Sequence, residues 1–142
     1  MNIEKVFYNK ACKDSLYIRK KVFMEEQGFK NEIDDYDNKG IHLVLYIDEK
    51  PVATGRLHIK DMDSKIYKIG RIAVLKEYRN KQLGKKIIEI LEAKAKKEGA
   101  KKIVISAQCQ AQDFYKKNGY IAKGDIYYEE FCPHIYMEKI IN

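Results

Sequence analysis

The chain's 142 residues suffice to bury one hydrophobic core, and a 45% hydrophobic content with only two prolines excludes a disordered or collagen-like chain. A net charge of +7 points to an anionic partner without choosing among nucleic acid, an acidic membrane surface and a phosphorylated cofactor. Cys12, Cys109 and Cys132 stand far apart in no CxxC spacing and read as reduced thiols. With no signal-like apolar run and no stretch of membrane-span length, the expectation is a cytoplasmic protein without a membrane partner.

Residues 3–8 are predicted as a first strand and 15–26 as a helix with Leu16, Arg19, Lys20, Val22 and Phe23 on a mixed face. An acidic loop over 27–40 leads to an alternating strand at 41–47, and the turn Asp48-Glu49-Lys50-Pro51 to a hairpin partner at 52–59. A further strand is expected at 66–75. Leu83, Ile87, Ile90, Leu91 and Ala95 then recur at helical spacing, Glu92 supports Lys96 one turn on, and Gly99 is the C-cap. A buried strand at 102–107, a short helix at 111–118 and two last strands at 120–123 and 134–141 complete the pattern. No repeat or linker interrupts it, so residues 1–142 are read as one domain. The order β-α-β-β-β-α-β-α-β-β gives an α+β fold, a mostly antiparallel sheet with helices on its faces.

The junction before the second long helix is unusual. Arg79, Lys81, Lys85 and Lys86 crowd a helix mouth that already carries about half a positive charge and unpaired amides. Such a mouth is suited to an anion. Neither a GxxxxGK[ST] phosphate loop nor a GxGxxG fingerprint is present. The stretch Arg79-Asn80-Lys81-Gln82-Leu83-Gly84-Lys85 instead resembles motif A of the GNAT superfamily of N-acetyltransferases, Q/R-x-x-G-x-G/A, with Gln82 in place of the middle glycine. Glutamine accepts positive φ at a cost that glycine avoids. Farther on, Gln108, Ala111, Phe114, Tyr115, Gly119 and Tyr120 follow the spacing of that family's motif B. Residues 19–27, 68–75 and 129–137 are similar to its ElaA-like branch, with Pro133, His134 and Met137 at the places of a P-H-x-x-M ending.

The resemblance implies a GNAT-like sheet flanked by helices on both faces, and an enzyme that transfers an acetyl group from acetyl-CoA to a primary amine in a ternary complex. It assigns residues 79–85 to the pyrophosphate, the edge of Ile72, Ala73 and Val74 to the pantetheine and the thioester carbonyl, Gln108 to the cofactor, and Tyr115 to a place near the thioester sulfur. Tyr115 is then the proton donor to the departing thiolate. Many family members carry a base glutamate where this chain has Gly70-Arg71, so His134 is the catalytic candidate, with Glu129 and Glu130 in reserve. Arg19, Arg71 and His134 correspond to positions near the acceptor pocket, and converging arginines imply an anionic small-molecule amine. Dimers are common in the family, so a homodimer is among the expectations.

Other signals carry less. Asp35, Asp37 and Gly40 start an EF-hand-like pattern, but Lys39 and Tyr46 occupy ligand positions, and the three histidines have no zinc spacing, so no metal is expected. The alternatives are a non-catalytic CoA-binding module, favoured by the missing glutamate, and a nucleic-acid binder. The latter has little support, because the eleven tyrosines are not interleaved with a basic stripe.

Overall fold

A computed structural model describes residues 2–141. Four strands, β1 (Ile3–Tyr8), β2 (Ile41–Ile47), β3 (Lys50–Asp61) and β4 (Ile66–Val74), form an antiparallel meander. β5 (Lys102–Gln108) joins β4 in parallel, and β6 (Ile121–Glu129) and β7 (Cys132–Ile140) complete a seven-stranded sheet of order β1-β2-β3-β4-β5-β7-β6. The expected α+β architecture is the one observed.

Strand alternation sorts the core into two layers. Leu43, Leu45 and Ile47 of β2 face α2 (Leu83–Lys97), where they meet Leu83, Ile87, Ile88 and Leu91. Val44 faces the other way, onto Ile18 and Val22. Those two residues belong to α1 (Lys13–Arg19) and its continuation, a π-helical stretch over Lys20–Glu26. Helices therefore cover both faces.

The helix predicted from Ser15 starts at Lys13, because Cys12 is its N-cap. Its Sγ accepts from the Ser15 amide at 3.4 Å, while Ser15 Oγ accepts from the Cys12 amide at 2.9 Å. A cysteine in this role falls outside the usual cap residues. At the other end of the chain, the short strand expected at 120–123 extends to Glu129, and its partner begins at Cys132 rather than His134. Gly124, in positive φ, stands at an irregularity between Lys123 and Tyr127, a bulge through which the strand continues. The Gly99 cap is as expected: φ is 94° and Ala100 N–H reaches Ala95 O at 3.0 Å. Glu92 does not pair along its helix. It accepts from Tyr120 at 2.6 Å and from Lys139 at 3.1 Å, tying α2 to the far end of the sheet.

Two irregularities open the sheet. The β3–β4 register skips between Thr54 and Arg56, and Arg71 in the resulting bulge has φ of 52°. β4 pairs with β5 only at Ile66, Tyr67 and Lys68, after which the two strands have no paired residues. The bulge increases local twist and carries the end of β4 away. A wedge remains.

Candidate active site

The wedge is a cleft of about 630 Å³. Ile72, Ala73 and Val74 line one wall and Ile105, Ser106 and Gln108 of β5 the other. Arg79, Gly84, Phe114 and Tyr115 line the end near α2, whereas Arg71 and His134 line the end toward the acidic loop. Nine of the residues picked from sequence, Arg71, Ile72, Ala73, Val74, Arg79, Gly84, Gln108, Tyr115 and His134, thus meet in one cavity, whereas Arg19, Asn80, Lys81, Gln82, Leu83 and Lys85 do not line it.

The α2 end is shaped for an anion. Gln82 is the N-cap of α2 with φ of 63° and makes no capping hydrogen bond, so the first-turn amides at Leu83, Gly84 and Lys85 lack a side-chain cap. Asn80 is also left-handed, at 67°. Leu83 itself turns into the core. A Cβ at Gly84 would lie 3.2 Å from Phe114 Cζ, so glycine keeps this turn close to α3 (Gln112–Lys117). Non-glycine residues pay roughly 1–2 kcal/mol in the left-handed region. Gln82→Gly is therefore expected to raise stability by about 1 kcal/mol in chemical denaturation.

Arg79 spans the mouth. Its Nε donates to Val74 O at 3.1 Å, and its two terminal nitrogens meet the Glu26 carboxylate at 2.5 and 2.6 Å. This fork holds the Glu26 carboxyl below its ordinary range. Opposite, Gln108 Nε2 donates to Gln27 Oε1 at 2.9 Å. The Tyr115 hydroxyl has no hydrogen-bond partner among the described residues, and burial pushes it up to about 12.

At the other end, His134 Nδ1 faces Cys132 O at 3.0 Å and Nε2 faces Glu129 Oε2, also at 3.0 Å. Both neighbours are acceptors. The ring therefore donates from Nδ1, and a proton arriving at Nε2 bonds to Glu129. Glu129 also accepts from Ser106 Oγ at 3.0 Å, and Ser106 Oγ bonds the Tyr127 hydroxyl. Phe29 meets the His134 ring edge-on. Glu130 lies beside this group but is spoken for: its carboxylate accepts from the Lys30 and Asn31 amides, fastening the acidic loop to the β6–β7 turn.

The expectation that Arg19 meets the acceptor is corrected. Its side chain is 1% exposed, pairs with Glu32 through Nε and Nη2, and donates to Asp37 Oδ1 at 2.7 Å and Oδ2 at 3.0 Å. Every terminal nitrogen of Arg19 is committed, so none is left for a ligand. Two further arginines join the same acidic loop. Arg56 binds Asp34 at 2.8 and 3.0 Å and Asp37 at 3.1 Å, and Arg71 donates to Glu32 O and Asp34 Oδ2, each at 3.1 Å. Asp37, which looked like part of a calcium loop, is with Glu32 and Asp34 the counter-charge for three arginines, of which Arg19 and Arg56 are buried. No group of three or more potential metal ligands occurs among the described residues. Ser106, Tyr127, Lys68, His58 and Arg56 line or border the site without having been singled out in the sequence, where nothing local marks them.

Among the described residues no helix is long and apolar enough to cross a membrane. Residues 10–141 match the model of the acetyltransferase (GNAT) domain. The chain is similar to the uncharacterized N-acetyltransferase YjcF of Bacillus subtilis, at 39% identity over 89% of this chain and 91% of that protein. Its fold resembles the crystal structure of Escherichia coli ElaA, with a TM-score of 0.84 and 26% identity over 97% and 99% of the two chains. A GNAT family acetyltransferase from Elizabethkingia anophelis, solved with acetyl-CoA bound, shares the fold at TM-score 0.77 and 17% identity, covering 98% of each chain. With the β4–β5 wedge, the uncapped α2 mouth and a domain match running almost end to end, the chain belongs to the GNAT family of acetyltransferases.

Proposed function

We propose that the protein transfers the acetyl group of acetyl-CoA to a small primary amine by direct attack in a ternary complex. The carrying observation is the wedge itself, with anion-seeking amides at its α2 end and the Glu129–His134 pair at the other. The α2 mouth fits a pyrophosphate: amides of residues 83–85 supply donors and Lys81 and Lys85 supply charge, with Arg79 at its rim paired to Glu26. Residues Ile72, Ala73 and Val74 offer a strand edge free of β5 to the amide-bearing arm, with Gln108 across the cleft. When bound, acetyl-CoA supplies an activated acyl carbon and a thiolate leaving group.

This chain's own groups handle the protons. A free amine arrives mostly protonated, a penalty of roughly 4 kcal/mol at neutral pH. The Glu129–His134 pair is the acceptor for that proton, oriented by the Cys132 carbonyl on one side and Ser106 on the other. Tyr115, protonated throughout the neutral range, is the donor on the leaving-group side. The reading extends to an acceptor with an anionic group, because Arg71 reaches the same end of the cleft.

Calorimetric titration of acetyl-CoA is the first test, with one saturable site expected. With an amine found by screening, His134→Ala should lower kcat by about 10²-fold or more and abolish the acidic limb of the pH–rate profile. An unchanged profile removes His134 from the mechanism.

A further inference from the structure

Three arginines, Arg19, Arg56 and Arg71, meet three carboxylates, Glu32, Asp34 and Asp37, so this network sums to zero charge. Lys68 stands beside it and outside it. Half-buried on β4, it lines the cleft and has no carboxylate within ion-pair distance among the described residues. Register puts it on the face the arginines use: His58 pairs across the ladder with Lys68, and Arg56 with Gly70. Gly70 has no side chain and nothing within 4 Å of a notional Cβ, which leaves open space between Lys68 and Arg71. The deep wall is closed by His58, stacked on Tyr36 at 3.7 Å. Glu129, the carboxylate on the opposite side, is engaged by His134 and Ser106.

A cation drawn out of water without a counter-ion is costly, and neighbouring arginines raise that cost. Burial holds the Lys68 ammonium below its ordinary range, with Lys60, Arg56 and Arg71 adding repulsion that Glu129 only partly relieves. The Arg56 Nε adds an independent sign: its side chain is 4% exposed, it lines the cleft, and this nitrogen is buried without an acceptor. Lys68 and the Arg56 Nε thus both lack an acceptor among the described residues.

Resting on the acetyl-transfer reading above, we propose that Lys68 and Arg71 bind a carboxylate carried by the acetyl acceptor, so that the acceptor is an amino acid or a closely related amino-carboxylate. Lys68 and the Arg71 nitrogen left without a partner are two donors, matching the two oxygens of a carboxylate. Arg71 contributes Nη1, since Nε and Nη2 are held by Glu32 and Asp34. The acceptor's amine then lies toward Glu129 and His134.

The test compares amino acids with their own carboxamides as acceptors for the enzyme saturated with acetyl-CoA, following thiol release. Rates are expressed per unprotonated amine, because the amide lowers the amine's basicity. The acid should be favoured in kcat/KM by about 10- to 100-fold, and Lys68→Met should bring that ratio close to one. A carboxamide as good as its acid, or a Lys68→Met enzyme with the ratio intact, overturns the proposal. Acetate titrated into the protein, read by the amide resonances of residues 68–72, probes the subsite without turnover. Saturable shifts that Lys68→Met abolishes support it, and no shifts in wild type overturn it. Should acetate bind while no amine is acetylated, the subsite stands and the acetyl-transfer reading is what fails.

Discussion

Arg19→Met is expected to destabilise the protein by about 3–5 kcal/mol, the range found when one partner of a buried ion pair is removed. The substitution keeps the side chain's bulk but leaves Glu32 and Asp37, 6% and 7% exposed, without their main donor. A domain of this size has only about 5–15 kcal/mol to lose. At roughly 3–5 °C per kcal/mol, the melting temperature should fall by about 10–20 °C. Acidification should act on the same network. Burial alone would raise the Asp37 carboxyl, but the bond from Arg19, the Asp34 amide and the charges of Arg19 and Arg56 outweigh it and hold Asp37 down to about 2. Its stabilising share is thus complete above the ordinary carboxylate range and is lost as pH falls from there toward about 2. Denaturant titrations across that window should show wild type losing stability faster than Asp37→Asn, which has already forfeited the charge. Equal slopes would remove Asp37 from the account.

Tyr115→Phe is expected to lower kcat by about 10²- to 10³-fold while leaving acetyl-CoA affinity within a few-fold of wild type. Phenylalanine preserves the ring that packs edge-on against Phe114 and Tyr120, at centroid distances of 5.1 and 6.2 Å, so the change is confined to the hydroxyl. With that hydroxyl pushed up to about 12, wild-type activity should show no fall attributable to Tyr115 ionisation anywhere in the usual assay range. Single-turnover rates with a slow amine separate this loss from product release. A variant with unaltered kcat would assign leaving-group protonation to solvent.

The frame of the fold was legible because its signals are local. Alternation in Ile41–Ile47, the apolar face of α2 and the Gly99 cap each depend on residues within a few positions of one another. The gathering of residues 72–74, Gln108, Tyr115 and His134 in one cleft could be anticipated because the motifs carrying them are compact and ordered along the chain. The arginine network could not. Arg19, Arg56 and Arg71 come from a helix and two strands, and their carboxylates from an intervening loop, so no period or spacing links them. Read alone, Arg19 looks like a cation available for a ligand; only burial and Glu32 show otherwise. The Glu129–His134 contact was hidden for a related reason. It needs β6 to continue through Gly124, which any local rule treats as a stop.

Only three residue pairs join β4 to β5. In mechanical terms the sheet is two antiparallel blocks, β1–β4 and β5–β7, meeting at a short parallel seam. Each block is internally laddered and stiff, whereas the seam offers few bonds to resist bending. α2 packs across β2, β3 and β4 of the first block, shares a buried core with Ile103, Ile105 and Met137 of the second, and holds Tyr120 and Lys139 through Glu92. With the ladder limited to this seam, it is the buried core shared by the two blocks beneath α2 that holds the wedge at its width.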